Sequence, residues 1–505
     1  MRGEMIPVSR LLAVLRDAGL LADFRAPEDL VLQGVSQDSR DLEPGDLFLA
    51  WRGTSVDSHE FLPVVREKGA AAALVEEFRD VEGLPQIRVR DGRRAAAVAA
   101  HEILGRPADD LRILAVTGTN GKTTTVGILH HLLQAASPTA GLGTLGLTGA
   151  DGVIRSVPSG LTTPGPVSLA RILAELRAEG IRTLAMEASS HALEQRRLDG
   201  IRVDVACFTN LTQDHLDYHP TMEAYRDAKA HLLTLLRSTE SAVVVNGDDP
   251  NWAALPEIRG RLLPVTSGDE EVRLPNARTV LPVLRARGVE LGPQGSTFQL
   301  SWGERQVPVQ LPLLGAFNVE NALMAAGAAL AAGQELDEVA AGLARVPQPR
   351  GRLELVARTP VPVLLDYAHT PDALARLLET VRPLYSGRVL LVFGAGGDRD
   401  RVKRPEMGRV AAQGAHLPIV TSDNPRTEDP DAIIDEILEG MEGSDPHRIT
   451  DRREAIAFAL AEAKPGDVVV LAGKGHETYQ VVGRQSRPFD ERAIVRQLLE
   501  LEERT

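Results

Sequence analysis

Residues 115–125 read AVTGTNGKTTT, and the fold of the chain turns on them. An apolar run from Leu111 to Val116 leads into Gly118, Gly121, Lys122 and a row of threonines, and the helix-like stretch VGILHHLL follows. Strand, glycine-rich loop and helix, in that order, let backbone N–H groups close on phosphate oxygens at a helix N-terminus. In such a loop Gly118, Thr119, Asn120 and Gly121 form the cradle, Lys122 neutralises β/γ-phosphate charge, and Thr123 or Thr124 can hold Mg²⁺. The spacing departs from the general pattern, because Val116 stands five places before Gly121 and the first glycine comes at 118. A plain glycine turn has no need of the strand before and the helix after, so the loop reads as a nucleotide site.

The chain around this loop has 505 residues, which suits about three domains, because single cores rarely grow past a few hundred residues. With 43% hydrophobic and 25% charged residues it has the composition of an ordinary globular protein. Its net charge of -14 argues against nucleic acid as a partner, since counterion release needs a basic face. Cys207 has no second cysteine to pair with. The opening MRGEMIPVSRLLAVLRDAGLL is broken by Arg10, Arg16 and Asp17, so it reads as an amphipathic helix and not as a signal peptide, and no run is long enough to span a bilayer. The expectation is a cytoplasmic monomer with small-molecule partners, no nucleic acid and no membrane insertion.

Two breaks divide the chain. The polar GRPADD near Pro107 closes a first segment, 1–108, of short apolar runs and turns. LRILAVT, RTLAMEA, VDVACFTN and SAVVVNGDD then alternate with helical stretches, as a parallel sheet with crossover helices requires, so 109–347 forms a central nucleotide domain. VPQPRGRLE marks the second break, and 348–505 repeats the α/β pattern with VPVLLDYA, GRVLLVFGAGG, LPIVTSD and GDVVVLAGKG. Each of these runs ends in polar residues or glycine, where ligands sit in open parallel sheets. GAGGDRD is not a dinucleotide fingerprint, because Arg399 occupies the third glycine position. The fold class is therefore α/β in three domains.

TGTNGKTTT, MEASSHALEQRR, FTNLTQDHLDYH, YRDAKAHL, GAFNVENALMAA, DYAHTPDAL, GGDRDRVKRP, DNPRTE and AGKGHE occur in one order along nearly the whole chain. Together they resemble the Mur ligases of peptidoglycan precursor synthesis, in the branch that adds the third peptide residue. The resemblance implies a uridine-nucleotide-binding N-terminal domain, a phosphate-loop ATPase-like central domain and a Rossmann-like C-terminal domain that binds the incoming amino acid. It implies an ATP-dependent carboxylate–amine ligase that joins a diamino acid to UDP-N-acetylmuramoyl-L-alanyl-D-glutamate through an acyl phosphate, with ATP and Mg²⁺ as cofactors.

The resemblance also assigns residues. Glu187, at the end of RTLAME, matches a Mg²⁺-binding glutamate, a hard oxygen ligand for a hard cation. His215 matches a histidine near a second Mg²⁺. His215 and His219 are four apart, a zinc-like spacing, but no clear third ligand accompanies them, and His219 reads as a polar loop residue. Lys229, which taken alone would be an exposed helix lysine, matches a lysine carried as a carbamate, and a carbamate needs a lowered pKa to form. Thr162, Thr163, Ser189, Gln195 and Arg197 match groups that hold the muramoyl dipeptide. Ser39 and Arg40 are the uridine-nucleotide candidates, although DSHEF has Ser58 where the family has glycine. Asn318, Asn321, Arg352, Asp366 and His369 match positions at the ATP base and ribose.

Arg399, Asp423, Asn424, Arg426, Gly473 and Glu477 match positions around the incoming amino acid. An arginine at the place of Arg426 accompanies meso-2,6-diaminopimelate, whose distal carboxylate suits its planar charged fork. The same ligase using L-lysine or L-ornithine is the first alternative. Folylpolyglutamate synthetase and a non-catalytic nucleotide-binding regulator stand behind it.

Overall fold

The computed structural model describes residues 5–53, 56–157, 160–215 and 218–499. The chain has a three-domain α/β architecture whose residues pack as two compact units. The first runs to Gly288 and includes Phe298–Val309 and Glu320–Ala344; the second takes in Val289–Thr297, Gln310–Val319 and the chain from Arg345.

The first unit is built on two larger sheets, with Ile6–Pro7 and Val31–Leu32 forming a short antiparallel pair beside them. The N-terminal sheet has the order Leu21–Arg25, Gln86–Val89, Ala72–Val75, Asp46–Leu49, Gly34–Ser36, with only its first pair antiparallel. The amphipathic stretch is the helix Val8–Asp17, which buries Val8, Leu11, Leu12 and Leu15 at helical spacing in this sheet's core. The helix Gly92–Ile103 packs against the helix Pro166–Ala178, whose Val167 and Ala170 belong to the same core. GRPADD forms a short 3-10 turn over Pro107–Asp110.

In the central sheet Thr139–Gly143, Thr183–Glu187, Arg112–Thr117, Val205–Phe208, Ala242–Asn246 and Ile258–Thr266 lie side by side and parallel. Arg112–Thr117 has only its first residue exposed, as a strand covered on both faces demands. It feeds the loop that opens the helix Lys122–Gln134. Its pairing with Thr183–Glu187 sets Glu187 opposite Val116, beside the start of that loop. The sequence reading left strands between Ile258 and Leu311 unassigned. Leu284–Gly292 and Arg305–Leu311 carry Arg, Glu and Gln at exposed positions, and that polarity hides their extended character.

The second unit is built on a sheet ordered Glu354–Ala357, Val363–Asp366, Val468–Ala472, Val389–Phe393, Leu417–Val420, His447–Arg448, parallel except for its first pair. The pairs Asp366↔Ala472, Val392↔Leu471 and Phe393↔Val420 bring the ends of four strands level. DYAHTP, GKGHE, GAGGDRD and SDNPRTE therefore all leave one edge of this sheet.

Candidate functional site

In the phosphate loop Gly118 has φ 145° and Gly121, the N-cap of Lys122–Gln134, has φ 83°. Both values favour glycine, and a Cβ on Gly118 would overlap the Thr209 hydroxyl. The strand end at 209–212 clamps the loop. Asn210 O accepts from Thr119 N at 2.7 Å, Asn210 Oδ1 accepts from Asn120 N at 2.9 Å, and the Thr209 hydroxyl donates to Asn120 O at 2.7 Å. These clamping residues lie in FTNLTQD, beside the histidine the sequence reading chose, and were missed because polar residues after a strand read as ordinary loop. Thr123 is half-buried on the first turn, while Thr124 is buried. The Asn321 carboxamide faces Gly121 and accepts from Thr125 Oγ1 at 3.5 Å.

Two lysines converge on this loop. Lys122 Nζ donates to Gly118 O at 2.9 Å and Thr119 O at 2.8 Å, and Lys229 Nζ donates to the same Gly118 O at 2.7 Å. Lys229 is only 1% exposed, with its ammonium 4.1 Å from the centre of the Tyr225 ring. This corrects the expectation of an exposed helix lysine: the helix Met222–Ala230 turns its Tyr225–Lys229 face inward, an i, i+4 pair. Burial, and then the neighbouring Lys122 charge, hold Lys229 well below the ordinary lysine pKa, opposed by the attraction of Asp214.

Glu187 is buried at its strand end and accepts from Thr144 N at 2.8 Å and from Thr144 Oγ1 at 3.3 Å. Thr144 Oγ1 lies 3.1 Å from Thr162 Oγ1, and Thr163 Oγ1 donates to Glu187 O at 2.9 Å. Ser189 N donates to Thr163 Oγ1 at 3.1 Å, and the Ser189 side chain caps the helix Ser190–Glu194. Arg197 donates to Thr163 O at 2.9 Å and to Gln195 Oε1 at 2.7 Å, while Gln195 Nε2 donates to Tyr218 Oη at 3.0 Å. Thr162, Thr163, Ser189, Gln195, Arg197 and Glu187 thus form one connected network. His215, with φ 52° and a half-exposed side chain, stacks edge-on to His191 at 4.8 Å. His219 lies in the loop before the helix Met222–Ala230 but is buried, 3% exposed, with its ring 5.1 Å from Tyr225 and 5.5 Å from His191. Among the described residues no group of three or more His, Cys, Asp or Glu is gathered to hold a metal.

Ser39 and Arg40 stand in the loop between the strands Gly34–Ser36 and Asp46–Leu49. Lys68 Nζ donates to Ser39 O at 2.7 Å, and exposed Arg40 pairs with Asp38 at 2.6 Å. Gln37, on the same loop, lies 3.1 Å from where a Cβ on Gly165 would stand, next to the Thr162–Thr163 turn. In the DSHEF segment buried His59 pairs with Asp57 at 2.5 Å.

The other candidates lie in the second unit. Asp366 accepts from Leu353 N at 2.7 Å and from Ala368 N at 2.8 Å, and burial raises its pKa against the lowering pull of Arg352 and these bonds. The Arg352 guanidinium sits 4.9 Å from the Tyr367 ring centre. His369 Nδ1 is 2.7 Å from Tyr367 O, and burial pushes its imidazole pKa down. Asn318 Nδ2 donates to Leu314 O at 2.9 Å. Gly351 has φ 63°, and a Cβ there would overlap backbone atoms of Gly475 and His476.

Beside this group Asp423, Asn424 and Glu477 face one another around Lys474, a residue the sequence reading passed over inside GKGHE. Asn424 Nδ2 donates to Glu477 Oε2 at 2.8 Å. Gly473, φ 114°, leaves only 2.8 Å between its Cβ position and Asp423 Oδ2. Burial raises the Glu477 pKa, offset by the Asn424 bond and by Lys474. Arg426, at φ 51°, donates to Gly397 O at 2.7 Å, and exposed Arg399 stands on the other flank of Gly396. Buried Arg404 donates to Glu428 at 2.8 Å and 2.9 Å, tying the GGDRD loop to the DNPRTE loop.

Comparisons with known proteins follow these sites along the chain. Residues 31–105 match the family model described as "Mur ligase family, catalytic domain", 116–329 "Mur ligase middle domain" and 351–475 "Mur ligase, glutamate ligase domain". A Gloeobacter violaceus protein named UDP-N-acetylmuramoyl-L-alanyl-D-glutamate--2,6-diaminopimelate ligase is 44% identical over 98% of this chain and 99% of its own. A Bacillus licheniformis protein of the same name is 39% identical over the same shares. A solved structure of an enzyme with that name superposes with TM-score 0.72 at 32% identity, covering 99% of this chain and 100% of the other. An Acinetobacter baumannii MurF structure, 21% identical with TM-score 0.62 over 99% of this chain and 100% of its own, shares the fold. No helix among the described residues is long and apolar enough to cross a membrane.

Proposed function

We propose, on the premise that the chain belongs to the Mur ligase family, that it adds meso-2,6-diaminopimelate to UDP-N-acetylmuramoyl-L-alanyl-D-glutamate with hydrolysis of ATP to ADP and phosphate. A carboxylate oxygen of the dipeptide attacks the γ-phosphorus and ADP leaves. The amine then attacks the acyl carbon, phosphate departs with the former carboxylate oxygen, and the nitrogen gives up a proton as the amide forms. Several anionic groups must meet in the first step, so positioning and charge neutralisation supply most of the catalysis. Lys122 on the phosphate loop meets that need, with Gly118–Thr124 and Asn321 cradling the phosphates. Asn318, Arg352, Asp366 and His369 receive the rest of the nucleotide.

The observation that carries this reading is the buried Lys229 sharing the Gly118 carbonyl with Lys122. A lysine whose pKa is lowered by burial and a nearby cation gives up its proton more readily, as uptake of CO₂ requires. The resulting carbamate would replace a repulsion with an attraction and place an anion beside the phosphates. Glu187, Thr123 and a carbamylated Lys229 would hold Mg²⁺ through hard oxygen donors, with His215 near a second such ion. Bound there, Mg²⁺ would offset charge on the transferring phosphoryl group. Thr162, Thr163, Ser189, Gln195 and Arg197 orient the dipeptide, with Ser39 and Arg40 at the uridine nucleotide. Arg399, Asp423, Asn424, Arg426, Gly473 and Glu477 take the amino acid.

A Mycobacterium tuberculosis folylpolyglutamate synthase structure, 19% identical with TM-score 0.59, resembles this chain in fold. Phosphate release from ATP that requires both the UDP-dipeptide and a diamino acid tests the proposal. Release independent of the amino acid would refute it, as would release that proceeds with a folate in place of the UDP-dipeptide.

A further inference from the structure

Lys474 is 0% exposed, among the most deeply buried charged side chains described, and every partner of its ammonium belongs to one small region. Nζ donates to Asn424 Oδ1 at 3.1 Å and Tyr479 O at 2.8 Å, and it lies 3.3 Å from Asp423 Oδ1 and 3.7 Å from Glu477 Oε2. Asn424 Oδ1 also accepts from Val481 N at 2.9 Å, and Gln480 Nε2 donates to Asp423 O at 2.7 Å. The lysine therefore joins the SDNPRTE loop, the GKGHE loop and the strand Tyr479–Val482 at one point.

A buried ammonium needs acceptors for its three N–H groups, and here they come from an amide, a backbone carbonyl and the two carboxylates it stands between, so that it fixes the face of the Asn424 amide. Its charge also sets a balance. Asp423 and Glu477 bring two carboxylates to a buried corner, and the Lys474 ammonium between them offsets their charge. Arg426 and Arg399 stand on the flanks of Gly396, near the same loop. Carboxylates partly offset by Lys474, an amide and the nearby Arg426 guanidinium match one zwitterionic head, an ammonium and a carboxylate on the same carbon.

We propose that Lys474 is a positioning residue for the incoming amino acid: it does not touch the substrate but holds Asp423, Asn424 and Glu477 so that they receive a single ammonium–carboxylate head. The inference rests on the proposed function and deepens its amino-acid site. Lys474 takes no part in nucleotide binding or in forming the acyl phosphate.

The test uses the full-length enzyme and the variants Lys474→Met and Lys474→Gln, the second keeping a side-chain donor. Steady-state kinetics with meso-diaminopimelate are set beside positional isotope exchange in ¹⁸O-labelled ATP, which reports acyl-phosphate formation from the UDP-dipeptide without any amino acid. The expected result for at least one variant is a rise in KM for diaminopimelate of about 10- to 100-fold, the size expected for lost charged hydrogen bonds. KM for ATP and the isotope-exchange rate should stay within about threefold of wild type, a margin well below that loss. An unchanged KM for diaminopimelate overturns the inference. So does parallel loss of isotope exchange and amino-acid use in both variants, which would make Lys474 a structural residue. Wild-type enzyme that ignores diaminopimelate but uses another amine refutes the proposed substrate instead, so the two failures are distinct.

Discussion

Lys122 and Lys229 share one carbonyl oxygen, and the chemistry of the central domain follows from how differently they are buried. Lys122→Ala should lower kcat by about two to three orders of magnitude, the usual effect of losing one preorganised charge-stabilising donor. Phosphate-release assays check this, and near-normal turnover would remove the phosphate loop from the mechanism. Lys229 has a lowered pKa in the folded chain, so the unfolded chain binds more protons below 10.5, and this residue's contribution to stability rises with pH through that window. Acidification charges the amine and disfavours a carbamate. Activity should therefore fall in CO₂-depleted buffer at mildly acidic pH and return on adding bicarbonate, whereas Lys229→Ala should be inactive and indifferent to bicarbonate. The sequence showed Lys229 only through a motif. Its neighbours Arg226, Asp227 and His231 look like a solvated helix, and burial became visible only once Tyr225 and the phosphate loop were placed against it. Lys474 was hidden for a related reason, since Asn424, one of its acceptors, lies 50 residues away in the chain.

Strand ends are where sequence reading worked best. RILAVT, TLAME, VACF, AVVVN, VLLD, VLLVF, LPIV and VVVLA all form strands, because strands buried on both faces read as unbroken apolar runs. The strands Leu284–Gly292 and Arg305–Leu311 escaped, since polar and charged residues stand at their exposed positions. At this scale the close approach of Gly351 to the GKGHE loop has a testable cost. Gly351→Ala would combine a positive φ with overlap against backbone and should destabilise the second unit by about 1–3 kcal/mol, measured by denaturant unfolding. His476, in the same contact, has its pKa pulled down to about 4 by burial and then by Arg352 and Arg492. The unfolded chain takes up this proton near 6.5 and the folded one only near 4, so stability is lost as pH falls through that interval. Unfolding midpoints between pH 7 and 4 should show a slope that His476→Asn flattens.

Over the whole molecule, the proposed ATP residues are shared between two compact units, Lys122 and Asn321 in one, Arg352 and Asp366 in the other. Asp366→Ala should consequently raise KM for ATP although Lys122 is untouched. The order of the motifs made the family legible from sequence. The packing of the N-terminal and central sheets into one unit was not, because it depends on the helices Gly92–Ile103 and Pro166–Ala178 meeting across a segment boundary.

The central claim, a ligase that takes a dicarboxylic diamino acid, is tested most directly by comparing kcat/KM for meso-diaminopimelate, L-lysine and L-ornithine with UDP-N-acetylmuramoyl-L-alanyl-D-glutamate and ATP. Without the distal carboxylate Arg426 loses a charged hydrogen bond, about 1.5–3 kcal/mol, so diaminopimelate should be preferred by about 10- to 100-fold. An equal or higher kcat/KM for lysine or ornithine would contradict the account.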